Sequence, residues 1–161
     1  DEILGQCEES GRDQGHATLC VSLMGAFCQM AYSIGEDLFA FDNYRAVAMA
    51  EYVGKYNLIK DESFNKGTLV GDDFIYDSNS FPYTSYSNPS YTNATISTEQ
   101  RGTKRPSWEL FYGYCKEKGI SSLYSEKWAD QMRPDGGGGN YGPNSGGFDQ
   151  LGFGTLMHYR E

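Results

Sequence analysis

Seven polar side chains and two glycines, Glu8-Glu9-Ser10-Gly11-Arg12-Asp13-Gln14-Gly15-His16, stand directly ahead of a long apolar run. In that run Leu19, Leu23, Phe27 and Met30 recur at helical spacing, so the polar cluster falls at a helix N-terminus. There the unpaired N–H groups and the positive end of the helix dipole favour anions. A plain alternative is that Ser10 or Asp13 caps the helix while Arg12 pairs with a nearby carboxylate. A cap accounts for Ser10 or Asp13 but leaves Gln14 and His16 unexplained. Two other stretches offer chemistry. Arg101, Lys104 and Arg105 form a tight basic cluster in an otherwise acidic chain and can bind a polyanion locally. The segment from Phe81 to Tyr91 is rich in tyrosine, serine and proline. It reads either as a surface loop or as the wall of a sugar-binding cleft, where phenol rings stack and hydroxyls donate.

The first helix is predicted from about Gln14 to Ser33, stopped at Gly35, and its nearly all-round apolar character predicts an interior position. Asp42 or Asn43 can cap a second helix with the small-residue stripe Ala46, Val47, Met49, Ala50 and Val53, ending near Asn57. No helical period runs from Leu58 to about Lys104, and an irregular stretch this long inside a domain is expected to be functional. Within it, Asn93-Ala94-Thr95 is a glycosylation sequon. Pro106 suits the first turn of a third helix carrying Trp108, Phe111, Tyr112 and Cys115, closed by Gly119. Ser125 can cap a short fourth helix with Trp128 and Met132, which Pro134 stops. The glycine run from Gly136 to Gly142 lacks the lysine and hydroxyl of a phosphate-binding loop, and the tail from Gly152 to Tyr159 can close the chain as a strand.

The formal charge of -9 speaks against nucleic acid as a partner. No apolar run approaches the roughly twenty residues of a membrane span. At 161 residues the chain has the length of one domain, yet its 15% of aromatic residues lie largely in polar, glycine-rich segments. Rings so placed line a groove or meet another piece of protein. The start at Asp1 reads as that of a mature or excised fragment. One side of the helices is therefore expected to be exposed where a missing part would pack. Cys20 and Cys28 are eight residues apart on one helix, roughly 12 Å, too far to bond and better read as buried thiols. Cys7 and Cys115 are left as candidates to pair with something, and the cysteine spacings predict no metal.

Three segments taken together, Glu9 to His16, Asp42-Asn43-Tyr44-Arg45 leading to Glu51-Tyr52-Val53-Gly54-Lys55-Tyr56-Asn57, and Arg101-Gly102-Thr103-Lys104-Arg105-Pro106, resemble the alginate-lyase-type polysaccharide lyases. Met132-Arg133-Pro134 and Gly152-Phe153-Gly154-Thr155-Leu156 fit the same pattern. The resemblance implies a mainly α fold, with residues 1–161 as the C-terminal portion of an incomplete (α/α) toroid with long irregular loops. It implies β-elimination in a uronic-acid polymer, in a secreted or periplasmic enzyme with no cofactor. Arg, Gln, Asn or protonated His would stabilise the charge that develops on the C5 carboxylate. Tyrosine or histidine would move protons at C5 and at the C4 oxygen. A free tyrosine has a pKa of roughly 10, so as a base it needs cationic neighbours, which His16 and Arg12 can supply. The expected catalytic residues are His16 and Tyr86, with Tyr83 second, and the expected substrate-binding residues are Arg12, Gln14, Arg101 and Arg105. Tyr52 is expected to be structural. The expected partners are the acidic polysaccharide and the N-terminal half of the same enzyme.

A non-catalytic carbohydrate-binding module is the alternative, with the tyrosine-rich loop and Trp108 as stacking platforms. A glycoside hydrolase needs two placed carboxylates. Glu8, Glu9 and Asp13 are candidates without a defined partner.

Overall fold

The computed structural model describes residues 5–58, 77–88, 91–92, 94–133 and 157–160. It is mainly helical. A 3-10 turn, Glu8–Gly11, leads into α1 (Gln14–Ser33), followed by α2 (Phe41–Asn57), α3 (Trp108–Lys118) and α4 (Leu123–Met132). Two residues each of β1 (Ser87–Asn88) and β2 (Tyr91–Thr92) pair antiparallel, with Ser87 opposite Thr92, inside the stretch expected to be irregular. Pro134, the glycine run, Asn93 of the sequon and the expected strand at Gly152 to Leu156 lie outside the described residues. No helix among the described residues is long and apolar enough to cross a membrane.

Helix α1 occupies the expected span, with Asp13 as its cap and Gly35 at φ 94 just beyond its end. Its orientation differs from expectation. The buried face consists of Gln14, Ala17, Thr18, Val21, Ser22, Gly25 and Cys28, while Leu23, Phe27 and Met30 are more than half exposed. Small and hydrogen-bonding residues face inward because neighbouring elements come too close for larger ones. A Cβ on Gly25 would stand 2.7 Å from the Phe111 ring. Ser22 Oγ lies 2.7 Å from Ser107 Oγ, tying α1 to the start of α3.

The stripe Ala46, Val47, Ala50 and Val53 of α2 is buried against α1, as small residues permit. Its entry is unlike the predicted cap. Asp42, Asn43 and Tyr44 take left-handed conformations, with φ of 48, 56 and 60, before the right-handed turns begin. Asp and Asn tolerate this region, whereas tyrosine occupies it only under constraint. Asp42 Oδ2 accepts from Arg45 Nε at 3.1 Å.

Helices α3 and α4 complete the core. Trp108 stacks on Trp128 at 5.3 Å between centroids, and Trp128 Nε1 donates to Gly54 O at 3.0 Å. Gly54 admits this close approach, since a Cβ there would meet Trp108 at 3.1 Å and Tyr124 at 3.3 Å. Fully buried, Trp108 cannot be the stacking platform of the binding-module reading. Helix α4 starts at Leu123, two residues before the expected Ser125 cap, because its N-terminus is closed from α2. Glu51 accepts from the backbone N–H groups of Tyr124 at 3.0 Å and Ser125 at 2.8 Å. At the far end Arg133 grips Glu109 with two bonds, of 3.0 and 2.8 Å.

Candidate active site at the first helix N-terminus

Asp13 organises the site. Its backbone is extended, so its side chain folds over the first turn of α1 and Oδ1 accepts from His16 N at 2.8 Å. The other oxygen, Oδ2, lies 2.6 Å from His16 Nδ1 and 3.6 Å from Arg12 Nε. Arg12 Nη1 also reaches Glu9 Oε2 at 3.3 Å. A carboxylate only accepts, so Nδ1 carries the proton of the His16 contact and Nε2 is the ring nitrogen that Asp13 does not engage. The Asp13 side chain is 7% exposed, against 46% for Arg12 and 40% for His16. A buried carboxylate thus contacts two solvent-reaching groups, an imidazole and a guanidinium.

Gln14 has a different place. It is 1% exposed, its Nε2 donates to Ser10 O at 3.1 Å and Ser97 O at 3.0 Å, and its Oε1 accepts from Asn57 Nδ2 at 2.8 Å. Asn57 also donates to Val53 O and accepts from Gly102 N at 3.0 Å. Arg105 is buried too, with Nε 3.3 Å from Thr18 Oγ1 and Nη2 3.3 Å from Gly15 O. Arg101 lies 4.0 Å over the Tyr56 ring and donates from Nε to Tyr56 O at 2.6 Å. Burial lowers the Arg101 pKa from its ordinary value. Direct substrate contact does not fit the interior positions of Gln14 and Arg105. Both knit the site together from behind, because polar groups removed from water must be bonded within the protein.

The tyrosine loop is tied to the segment that leads into the polar cluster. Gln6 Nε2 donates to Thr84 O and Thr84 N donates to Gln6 Oε1, both at 2.8 Å. Tyr83 packs half-buried against the core, and its ring lies 6.4 Å from that of Tyr86. Tyr52 is buried, with its hydroxyl donating to Pro82 O at 2.7 Å, and burial pushes its pKa up. The segment after the β ladder follows the cluster more closely. Ser97 N donates to Ser10 O at 3.0 Å and Gln14 N to Glu99 O at 2.8 Å.

Sequence reasoning missed Asn57, the node between Gln14 and Gly102, and the partnership of Asp13 with His16. The i, i+3 spacing of Asp13 and His16 carried the second signal. Nothing local marks Asn57. Comparisons with family models, curated proteins and solved structures return no match.

Proposed function

We propose that this chain is the C-terminal portion of an (α/α)-toroid polysaccharide lyase that cleaves a uronic-acid polymer such as alginate or glucuronan by β-elimination, in a secreted or periplasmic setting. The observation that carries the reading is the Asp13–His16 pair beside Arg12, an acid–base group and a fixed cation displayed together at a helix N-terminus. The three segments on which the resemblance rests also meet around this turn through Gln14, Asn57, Gly102 and Arg105.

In the proposed reaction Arg12 and His16 hold the C5 carboxylate and stabilise the charge that develops there. Tyr86, with Tyr83 as second choice, takes the C5 proton. The C–H electron pair becomes the C4–C5 double bond, the C4–O bond breaks, and the tyrosine hydroxyl that took the C5 proton returns one to the departing oxygen, which completes the elimination. Arg101 adds positive charge along the substrate path, while Gln14 and Arg105 hold the frame. The exposed apolar side of α1, with Leu23, Phe27 and Met30, supports packing against the N-terminal half of the same enzyme.

The test is an assay of the longer polypeptide that carries this segment on a panel of polyuronates, following the absorbance of the unsaturated product. Tyr86→Phe removes the proton-transferring hydroxyl with almost no change of volume, so it should abolish turnover and leave affinity nearly intact. His16→Ala should lower both. Wild-type turnover in Tyr86→Phe would move the role to Tyr83. Binding without turnover across the panel would replace the lyase with the carbohydrate-binding reading.

A further inference from the structure

Gln100 joins the segment that runs beside the polar cluster to the basic residues that follow it. Its φ is 55, a left-handed conformation that asparagine and aspartate tolerate and that strains a longer side chain. Hydrogen bonds on both sides hold it there. Before it, Glu99 O accepts from Gln14 N at 2.8 Å, and its own carbonyl accepts from Thr103 N at 3.3 Å and Thr103 Oγ1 at 2.6 Å. Beyond it, Gly102 N donates to Asn57 Oδ1 at 3.0 Å. This backbone delivers the Gln100 side chain onto the first turn of α1. A Cβ on Gly15 would stand 2.1 Å from Gln100 Oε1 and 3.2 Å from Asp13 Oδ1, so the glycine leaves room for the amide beside the Asp13 carboxylate. Gln100 is exposed, and among the described residues its amide makes no hydrogen bond. A strained backbone that presents an unbonded, exposed amide at the site points to use of that amide rather than to stability.

We propose that Gln100 is a substrate-binding residue of the same site, whose amide reads the O2 and O3 hydroxyls of the uronate ring. The inference rests on the lyase reading. In a uronate linked through O4 and carrying its carboxylate at C5, O2 and O3 are the ring hydroxyls left free. They are neighbours, and each can donate or accept. One amide complements the pair, with Oε1 accepting from one hydroxyl and Nε2 donating to the other. Arg12 and His16 meet a charge that every polyuronate carries. Gln100 narrows the substrate class to polymers whose O2 and O3 are unsubstituted. The contact is made alike in the bound substrate and the transition state, so it acts on KM and not on kcat.

The test follows the unsaturated product of the longer polypeptide on a polyuronate with free hydroxyls and on the same polymer acetylated at O2 and O3. Gln100→Gly removes the amide and takes a φ of 55 without strain, so the Tm of the 161-residue chain should stay the same or rise. Its KM on the free polymer should increase about 10-fold at nearly constant kcat, the weight of one or two neutral hydrogen bonds. Wild type should prefer the free over the acetylated polymer by about 10-fold or more in kcat/KM, and the variant should approach parity. Gly15→Ala, which displaces the amide, should raise KM on its own but add nothing to Gln100→Gly. An unchanged KM in Gln100→Gly would overturn the inference and leave the lyase reading standing. So would a preference equal in wild type and variant, since bulk alone would then exclude the acetyl groups, or a KM effect accompanied by a Tm lowered by several degrees, which would make Gln100 structural. No turnover by wild type on any polyuronate would remove the lyase reading and this inference with it.

Discussion

Asp13 carries two functions in one side chain, one per oxygen, and they can be separated. Oδ1 caps α1 and Oδ2 fixes the His16 ring. Asp13→Asn can keep the cap through its amide oxygen but offers His16 a neutral group in place of the carboxylate. The variant should melt within about 1 kcal/mol of wild type, whereas Asp13→Ala, which loses the cap, should cost on the order of 1–2 kcal/mol. In an active longer polypeptide, Asp13→Asn should lower turnover about 100-fold by releasing the imidazole from its orientation. Melting and turnover that fall together would make Asp13 a cap alone. Gln14 is the contrasting case. Its replacement by alanine leaves Asn57 Nδ2 short of an acceptor in the interior and should cost about 2–3 kcal/mol. A double-mutant cycle with Asn57→Ala should show coupling of about 1 kcal/mol or more, and additive losses would deny the contact its weight. The Asp13 cap was legible because capping is local. Gln14 was not, because glutamine in a polar run reads as surface and its burial is set by an acceptor on Ser97 and a donor on Asn57, far along the chain.

At the scale of elements, hydrophobic periodicity placed all four helices but misjudged which way α1 faces. Leu23, Phe27 and Met30 gave the helical period, yet the inward positions belong to Gly25, Ser22 and Thr18, whose small size admits α3. Gly25→Ala should destabilise by about 1–3 kcal/mol, since the Phe111 ring leaves no room for a methyl group. Thermal melting checks this, and an unchanged Tm would mean the ring can give way. The start of α4 was likewise hidden, because its closing group comes from Glu51 on another helix. Burial holds the Glu51 carboxyl above its ordinary pKa, partly opposed by the Tyr124 and Ser125 amides. The folded state thus binds this proton more tightly than the unfolded chain does. The contribution is fully present below the unfolded value and is lost as pH rises through the folded one. Glu51→Gln removes this dependence. The Tm of wild type relative to the variant should therefore fall from about pH 4 toward neutrality, above the unperturbed glutamate range. A difference independent of pH would mean that Glu51 ionises as freely in the folded chain as in the unfolded one.

For the molecule as a whole, the aromatic content and the polar, ring-bearing segments raised the expectation of a chain that meets something larger, and the described residues leave an apolar side of α1 exposed. Leu23, Phe27 and Met30 run along it, Ile34 follows at its end, and Phe41 stands nearby. Beside them a cavity of about 590 Å³ is lined by Met24, Phe27, Cys28, Leu38, Phe41 and Met49. What covers this side was not legible, because a helix period records that residues share a face and carries nothing about which partner that face meets. If the N-terminal half of the proposed lyase covers it, Phe27 and Met30 are surface residues here and core residues there. The double substitution Phe27→Glu, Met30→Glu should then leave the melting of the 161-residue chain nearly unchanged. In the longer polypeptide the same change should cost about 3 kcal/mol or more, since each large apolar side chain gains roughly 1.5–3 kcal/mol from full burial. Parallel melts of the two polypeptides check this directly. Equal tolerance in both would leave the outer side of α1 open to solvent in the longer polypeptide and would remove the packing argument for a toroid.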